Sequence, residues 1–114
     1  MPDLPYLSIV IPAYNEAQRL PPTLAKLTEF LRVFTRRWEV LTVIEPGEDG
    51  TLELARQYAA QQANFCVIAN EVRGGKGYAV RQGMLQAKGE IVFYMDADLS
   101  VPLDGIHDFL RCFE

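Results

Sequence analysis

The amino-acid sequence predicts an α/β protein, a three-layer sandwich with a mostly parallel sheet of about four strands. Short apolar runs of strand length alternate with longer segments in which apolar residues recur every three or four positions. Each apolar run is followed by a segment rich in polar residues, glycine or proline. Parallel neighbours are joined by crossovers that are usually helical, so this alternation favours a sheet covered by helices.

The first half of the chain contains two predicted strand–helix units. Leu7–Ile11 is the first strand, and Pro12 is expected to end it because proline cannot donate to a sheet ladder. The segment Leu20–Phe34 carries one apolar stripe at helical spacing, with its two prolines confined to the start. Trp38–Ile44 is the second strand, and a helical pattern resumes at Leu52 after a turn rich in glycine.

The second half repeats this order. Phe65–Ala69 is the third strand, and the segment Ala79–Ala87 is predicted to be helical up to Gly89, a residue suited to a helix C-terminus. Ile91–Met95 forms the fourth strand. Apolar residues within Ile106–Phe113 then predict a last helix.

Length and composition limit the classes of protein that remain. Residues 1–114 are predicted to form a single domain, because 114 residues with 49% hydrophobic side chains suffice for one core. The net charge of -4 argues against nucleic-acid binding, which needs a basic surface. No apolar stretch approaches the roughly 20 residues of a membrane helix. Only two cysteines occur, so we expect a reducing, cytoplasmic location.

Two carboxylates follow the fourth predicted strand directly. In Asp96-Ala97-Asp98 they are separated by one small residue at the C-terminal end of an apolar run. Ligands bind at that edge of open parallel sheets, and paired carboxylates there suit a divalent cation that holds phosphate oxygens. The alternative is that Asp96 or Asp98 merely caps the next turn or helix.

The first strand is followed by an aromatic ring and a carboxylate. Tyr14 can stack on a nucleobase, and Glu16 can accept hydrogen bonds from ribose hydroxyls or base N–H groups. Alternatively, Asn15 caps a first helical turn and Tyr14 covers the sheet edge. After the second strand, Glu45 can hold a base or ribose donor, whereas Glu48 and Asp49 are typical of a helix start.

The segment after the third strand suits an anion. Arg73-Gly74-Gly75-Lys76-Gly77 combines two cations with glycines whose backbone N–H groups would be accessible to a diphosphate at a helix start. The spacing differs from that of the P-loop and of the dinucleotide fingerprint, which follows the first strand. Arg81, further along, is expected to be a solvated helix residue.

Taken together, three segments resemble the family-2 glycosyltransferases. These are residues 7–16 (LSIVIPAYNE), residues 73–77 (RGGKG) and residues 95–100 (MDADLS). The chain is most similar to the branch that moves glucose or mannose onto dolichyl or other polyprenyl phosphates.

The resemblance implies a Rossmann-like, partial GT-A fold that binds a UDP- or GDP-sugar. The residues implied in donor binding are Pro12, Ala13, Tyr14, Glu16, Glu45, Arg73, Lys76, Asp96 and Ala97. Asp96 and Asp98 would hold Mg²⁺ or Mn²⁺, which neutralises the diphosphate and eases departure of the nucleoside diphosphate. The acceptor would be a polyprenyl phosphate, and a full-length form would be membrane-associated.

The chain departs from the family pattern in two respects. Glu45-Pro46-Gly47 stands where two aspartates and a glycine are usual, which puts the nucleoside site in question. The family's catalytic domains are also longer, so the catalytic base and acceptor site are expected beyond Glu114 and the chain resembles the N-terminal, donor-binding half. We therefore expect no efficient transfer by these 114 residues alone. We also expect self-association through the unpaired edge at strand four and the apolar sheet face that the remainder of such a domain would cover.

Two other functions remain open at this stage. One is a non-catalytic module of the same fold that holds a sugar nucleotide or a protein partner. The other is a sugar-phosphate nucleotidyltransferase, although its glycine- and arginine-rich loop would be expected after the first strand. There this chain has residues 12–16 (PAYNE) instead.

Overall fold

A computed structural model describes residues 4–98 and 104–112, in which strands and helices alternate. The elements are β1 (Leu7–Ala13), α1 (Leu20–Arg32), β2 (Trp38–Ile44), α2 (Thr51–Gln61), β3 (Phe65–Ala69), α3 (Lys76–Gln86), β4 (Ile91–Tyr94) and α4 (Asp104–Arg111). The predicted α/β class is confirmed. The side chain of His107 and residue Phe113, which belong to the predicted last helix, lie outside the described residues.

The strands form one parallel sheet in the order β3-β2-β1-β4. From β1 the chain moves outward to β2 and β3, and then returns to place β4 on the other side of β1. β1 pairs with β2 along its whole length, but with β4 only from Leu7 to Val10. The order reverses between β1 and β4, which is the point where ligands bind in open α/β sheets.

Helices cover both faces of this sheet, so the three layers are as predicted. On one face, buried residues of α1, α2 and α4 form one core with Ile9 and Ile11 of β1. On the other face, Ala79 of α3 packs against Val10 and Val43, because successive side chains of a strand point to opposite faces. The apolar stripe predicted for α1 is buried, and its members are Leu20, Leu24, Leu27 and Leu31.

Pro12 does not end the first strand, which is a correction to the sequence prediction. β1 continues to Ala13. The carbonyl of Val10 accepts a hydrogen bond from the N–H of Met95 at 3.0 Å, so it faces β4. Position 12 faces the same side, because backbone groups alternate along a strand, but the pairing with β4 has already ended at Tyr94. The missing N–H of Pro12 therefore costs no hydrogen bond of the ladder.

The glycine-rich segment leads directly into a helix. α3 begins at Lys76, earlier than the predicted Ala79, and Gly75 precedes it with a φ of 92°. Such a positive φ is readily adopted only by glycine. Lys76 is therefore the first residue of a helix whose N-terminal end points toward the C-terminal ends of the strands.

Candidate functional site

A cleft of about 340 Å³ opens where the strand order reverses, at the C-terminal ends of β1 and β4. The loops after β1, β2 and β4 and the start of α3 form its walls. Every residue that the sequence analysis associated with a donor or a metal lines this cleft, namely Pro12, Ala13, Tyr14, Glu16, Glu45, Arg73, Lys76, Asp96, Ala97 and Asp98. Segments far apart in sequence thus meet at one edge of the sheet.

The acidic turn that follows β4 is held in place by α1. The Thr23 hydroxyl donates a hydrogen bond to the backbone carbonyl of Ala97, and both residues are buried. The side chains of Asp96 and Asp98 on either side each remain 39% exposed. The turn is thus anchored at its centre, while its two carboxylates stay accessible from the cleft.

Each of these carboxylates has a cationic neighbour. Lys76 forms an ion pair with Asp96, and this hydrogen bond raises the pKa of the Lys76 ammonium above its ordinary value of 10.5. The ammonium is therefore charged at neutral pH. A guanidinium nitrogen of Arg19 lies 3.6 Å from Asp98, and Arg19 also pairs with Glu16.

The donor set suits a hard divalent cation such as Mg²⁺ or Mn²⁺. Asp96 and Asp98 offer carboxylate oxygens from a single turn, which are the ligands these ions prefer. Within residues 4–98 and 104–112 no cluster of three or more His, Cys, Asp or Glu side chains is placed to hold a metal. Asp96 and Asp98 are thus two candidate ligands, and phosphate oxygens and water commonly complete the coordination of Mg²⁺.

The predicted nucleoside-binding ring, Tyr14, is covered on one face by an arginine. The Arg73 guanidinium carbon lies 3.7 Å from the ring centroid, a distance typical of a cation–π contact. The loop after β1 and the loop after β3 therefore touch above the cleft. Tyr14 itself lines the cleft.

Asn15 connects two loops instead of capping α1. Its side-chain oxygen accepts a hydrogen bond from the N–H of Glu48 at 3.0 Å, and its φ is 50°. The neighbouring N–H of Glu16 donates to the hydroxyl of Thr51 at 2.9 Å. Asn15 therefore does not cap a first helical turn, which was the alternative considered for it, because α1 begins only at Leu20.

Asp49 lies at the start of α2, as the sequence predicted. Its carboxylate accepts hydrogen bonds from the Thr51 hydroxyl and from the N–H groups of Ala17 and Thr51, at 3.0 and 3.1 Å. These bonds, with that from the Thr51 hydroxyl first, hold the pKa of Asp49 below its ordinary value of 3.8. Asp49 therefore joins the loop carrying Glu16 to the loop after β2.

Glu45 differs from what the sequence suggested. Its side chain is only 3% exposed, and its two oxygens accept the N–H groups of Gly75 at 2.7 Å and Gly74 at 3.0 Å. The side-chain amide of Asn70 lies 3.4 Å from one of these oxygens. The N–H groups of Gly74 and Gly75 are therefore bonded to protein and are not accessible to a diphosphate, which corrects the prediction for these two glycines.

Glu45 contacts these glycines because of the tertiary structure. β2 and β3 are parallel neighbours, so the loop after β3 passes directly over Glu45 at the end of β2. A buried carboxylate needs donors, and the closest donors are the glycine N–H groups. Gly74 also accommodates the ring of Tyr78, since a Cβ at that position would lie 2.5 Å from it.

Arg19 is a cleft residue that sequence reasoning missed. It belongs to no recognisable motif and lies in the turn just before α1. The available signal was a lone cation immediately after the segment carrying Glu16. Its proximity to Asp98 depends on the packing of β4 beside β1 and could not be read from local sequence.

Comparison with solved structures defines the class of fold. A mannosyltransferase, PcManGT from Pyrobaculum calidifontis in complex with GDP-Man and Mn²⁺, superposes with a TM-score of 0.74 at 30% identity, over 83% of this chain and 28% of that one. TarS residues 1–349 from S. aureus superposes with the same TM-score of 0.74 at 24% identity, over 92% of this chain and 31% of that one. The fold is that of the GT-A glycosyltransferases.

Comparison of sequences defines the family. The family model "Glycosyl transferase family 2" matches residues 8–114, and the chain belongs to this family. A dolichyl-phosphate beta-glucosyltransferase of Trichomonas vaginalis is 36% identical over 104 residues, covering 87% of this chain and 32% of the relative. The Drosophila melanogaster enzyme of the same name is 39% identical over 101 residues, covering 81% and 30%. The chain spans about a third of the length of these relatives.

Proposed function

We propose that the cleft binds a nucleotide-diphospho-sugar together with Mg²⁺ or Mn²⁺, as the donor site of an enzyme that transfers a hexose to a polyprenyl phosphate. One observation carries this proposal: the acidic turn, the cationic start of α3 and the Tyr14 loop line a single cleft at the reversal of strand order. The similarity to PcManGT, whose structure contains GDP-Man and Mn²⁺, supports it.

The residues have separate tasks in this proposal. Asp96 and Asp98 hold the metal, which as a Lewis acid supplies positive charge to the diphosphate and eases its departure. Lys76 and Arg73 bind the diphosphate by charge. The nucleoside lies against Pro12, Ala13, Tyr14 and Glu16, with Ala97 allowing close approach at the acidic turn, all of which line the cleft.

The acceptor proposal rests on the relatives. Their names include dolichyl-phosphate glucosyltransferases and an undecaprenyl-phosphate 4-deoxy-4-formamido-L-arabinose transferase of Aeromonas hydrophila, 33% identical over 91% of this chain and 32% of the relative. A phosphate acceptor is already anionic at neutral pH, so orientation and charge screening matter more than a strong general base.

Such an acceptor lies in a membrane, and we propose a cytoplasmic protein that associates with that membrane. Among the described helices none has the length and apolar character to span a bilayer. We also propose self-association through β4, which is one edge of the described sheet. Sedimentation showing a stable monomer at high concentration would refute the self-association.

Calorimetry with UDP- and GDP-sugars tests donor binding. We expect at least one sugar nucleotide to bind in the presence of Mn²⁺, and the double variant Asp96→Asn, Asp98→Asn to lose at least about tenfold in affinity, or 1.4 kcal/mol. Asp108→Asn, an exposed carboxylate on α4, is the matched control and should bind as the unaltered chain does. Binding that needs no metal, or that survives the double substitution, would contradict the proposal.

A second measurement separates transfer from binding alone. Release of nucleoside diphosphate is followed after a polyprenyl phosphate is added to the chain with donor and Mn²⁺. Release that depends on the acceptor identifies a transferase. From these 114 residues alone we expect donor binding without efficient release, and a robust turnover by this chain would contradict that expectation.

A further inference from the structure

We propose that Glu45 is a positioning residue: it fixes the glycine-rich segment and thereby places Lys76 and Arg73 in the cleft, and it does not read the nucleobase. This inference rests on the proposed donor-binding function. It assigns Glu45 a task different from the base or ribose contact that its place after β2 suggested.

The carboxylate of Glu45 holds two successive backbone N–H groups. Glu45 is 3% exposed, and each of its oxygens accepts one backbone N–H, from Gly75 at 2.7 Å and from Gly74 at 3.0 Å. Hydrogen bonds to a charged acceptor are about twice as strong as neutral ones. Two such bonds to successive residues restrain both the position and the orientation of that peptide.

The two glycines lie between the two cations of the cleft. They stand between Arg73, which covers the Tyr14 ring, and Lys76, which pairs with Asp96. Gly75 immediately precedes the first residue of α3 and has a positive φ, so its peptide sets the direction in which the helix begins. A loss of the Glu45 contacts would release both cations at once.

The surroundings of Glu45 do not suit contact with a nucleobase. Both oxygens of Glu45 are already engaged by backbone donors, and the next residue, Pro46, has no N–H to offer. A residue that discriminates between bases must present accessible groups to their edges, whereas Glu45 is only 3% exposed. Glu45 therefore affects donor affinity through the cations, with no preference for uracil or guanine.

Amide exchange in the donor-free chain tests whether Glu45 fixes the glycine-rich segment. Glu45→Gln replaces one accepting oxygen by an NH₂ group that faces a backbone donor. We expect the amides of Gly74 and Gly75 to exchange at least about tenfold faster, equivalent to 1.4 kcal/mol. Unchanged exchange at both glycines would overturn the proposal.

A matched control lies on the same strand. Glu39, at the opposite end of β2, accepts the Ser8 hydroxyl at 2.6 Å and the N–H of Lys88 at 2.7 Å. Glu39→Gln should leave exchange at Gly74 and Gly75 unchanged, which separates a local effect from a general loss of stability. If Glu45→Gln does not fold, Glu45→Asp, which keeps the charge on a shorter side chain, should accelerate the same two amides.

Donor binding tests whether Glu45 leaves the choice of nucleobase unaffected and whether it acts on the donor through Lys76. We expect Glu45→Gln to weaken UDP and GDP by the same factor in the presence of Mn²⁺, while Glu39→Gln has no effect. The double variant Glu45→Gln, Lys76→Gln should lose less affinity than the sum of the two single losses, because part of the effect of Glu45 passes through Lys76. A change in the preference between UDP and GDP, or fully additive losses, would overturn the proposal.

These measurements distinguish the two proposals from each other. If the unaltered chain binds no nucleotide, the proposed donor site fails. Exchange at Gly74 and Gly75 still decides in that case whether Glu45 holds the segment that carries Lys76.

Discussion

The carboxylates of this chain differ in burial and in the groups that they contact. Glu45, buried at the end of β2, accepts the N–H groups of Gly74 and Gly75, whereas Asp96 and Asp98 are partly exposed and face side-chain cations. Engaged carboxylates shape the backbone, and exposed ones can exchange a cationic side chain for a metal ion. Burial and the identity of the donors thus separate positioning residues from candidate ligands.

Arg19 offers a residue-scale prediction. Its guanidinium lines the cleft and lies near both Asp98 and Glu16, so its removal takes away positive charge and an orienting partner. Arg19→Gln should weaken binding of a sugar nucleotide with Mn²⁺ by roughly tenfold, the scale of one hydrogen bond to a charged group. Calorimetry measures this change.

The chain offers a matched control for Arg19. Arg32, at the other end of α1, forms an ion pair with Glu29 at the same spacing of three residues, and both side chains are exposed. Exposed pairs of this kind contribute little. Arg32→Gln should therefore bind donor as the unaltered chain does, and equal losses in the two variants would contradict a specific function for Arg19.

At the scale of elements, α3 connects the cleft to the sheet. Its first residue, Lys76, lies in the cleft, and Gly83 farther along packs against β1 and β2. A Cβ at Gly83 would lie 2.3 Å from a methyl carbon of Val10 and 3.0 Å from one of Val43. The helix can lie this close to the sheet only because position 83 has no side chain. The distance between α3 and the sheet in turn sets where Lys76 stands.

Two glycine substitutions on α3 test this packing. Gly83→Ala should lower the free energy of unfolding by roughly 1 to 2 kcal/mol, because overpacking against rigid valines outweighs the gain of about 1 kcal/mol in helix propensity. Gly77→Ala, where nothing lies within 4 Å of the added Cβ, should instead stabilise by about 0.5 kcal/mol. Urea denaturation with unchanged m values measures both. A stabilised Gly83→Ala would show that α3 is free to move away.

On the scale of the whole molecule, the cleft depends on the order β3-β2-β1-β4. This order brings the loops after β1, β2 and β4 to one edge, beside the start of α3. Contacts between loops then connect them, such as Arg73 over Tyr14 and Asn15 to the N–H of Glu48. A ligand in the cleft would touch several of these segments together, so its binding should stabilise the fold as a unit.

Thermal unfolding measures this coupling. At a donor concentration about 100 times the Kd, binding contributes about 2.7 kcal/mol to stability. In a domain of this size that corresponds to a rise in Tm of about 10 °C or more. We expect this rise with Mn²⁺ and a bound sugar nucleotide together. An equal rise in the variant carrying Asp96→Asn and Asp98→Asn would contradict metal-assisted binding.

Much of the fold was predictable because it rests on local patterns. The leucine stripe of α1 and the bounds of β2 and β3 follow from periodicity alone, and the structure agrees with them. Predictions failed where a residue's environment is set by a distant strand. Pro12 stays within β1 because β4 is short, and Asn15 bonds to the loop after β2.

By itself the sequence determined the class of fold, the family and the places where polar residues follow strands, because periodicity and motif spacing are local properties of the chain. Only the tertiary structure decided that Glu45 holds Gly74 and Gly75, and that Arg19 stands beside Asp98. The physical reason is that hydrogen bonds and ion pairs form between groups that are close in space, even where they are distant in sequence. That proximity comes from which strands lie side by side.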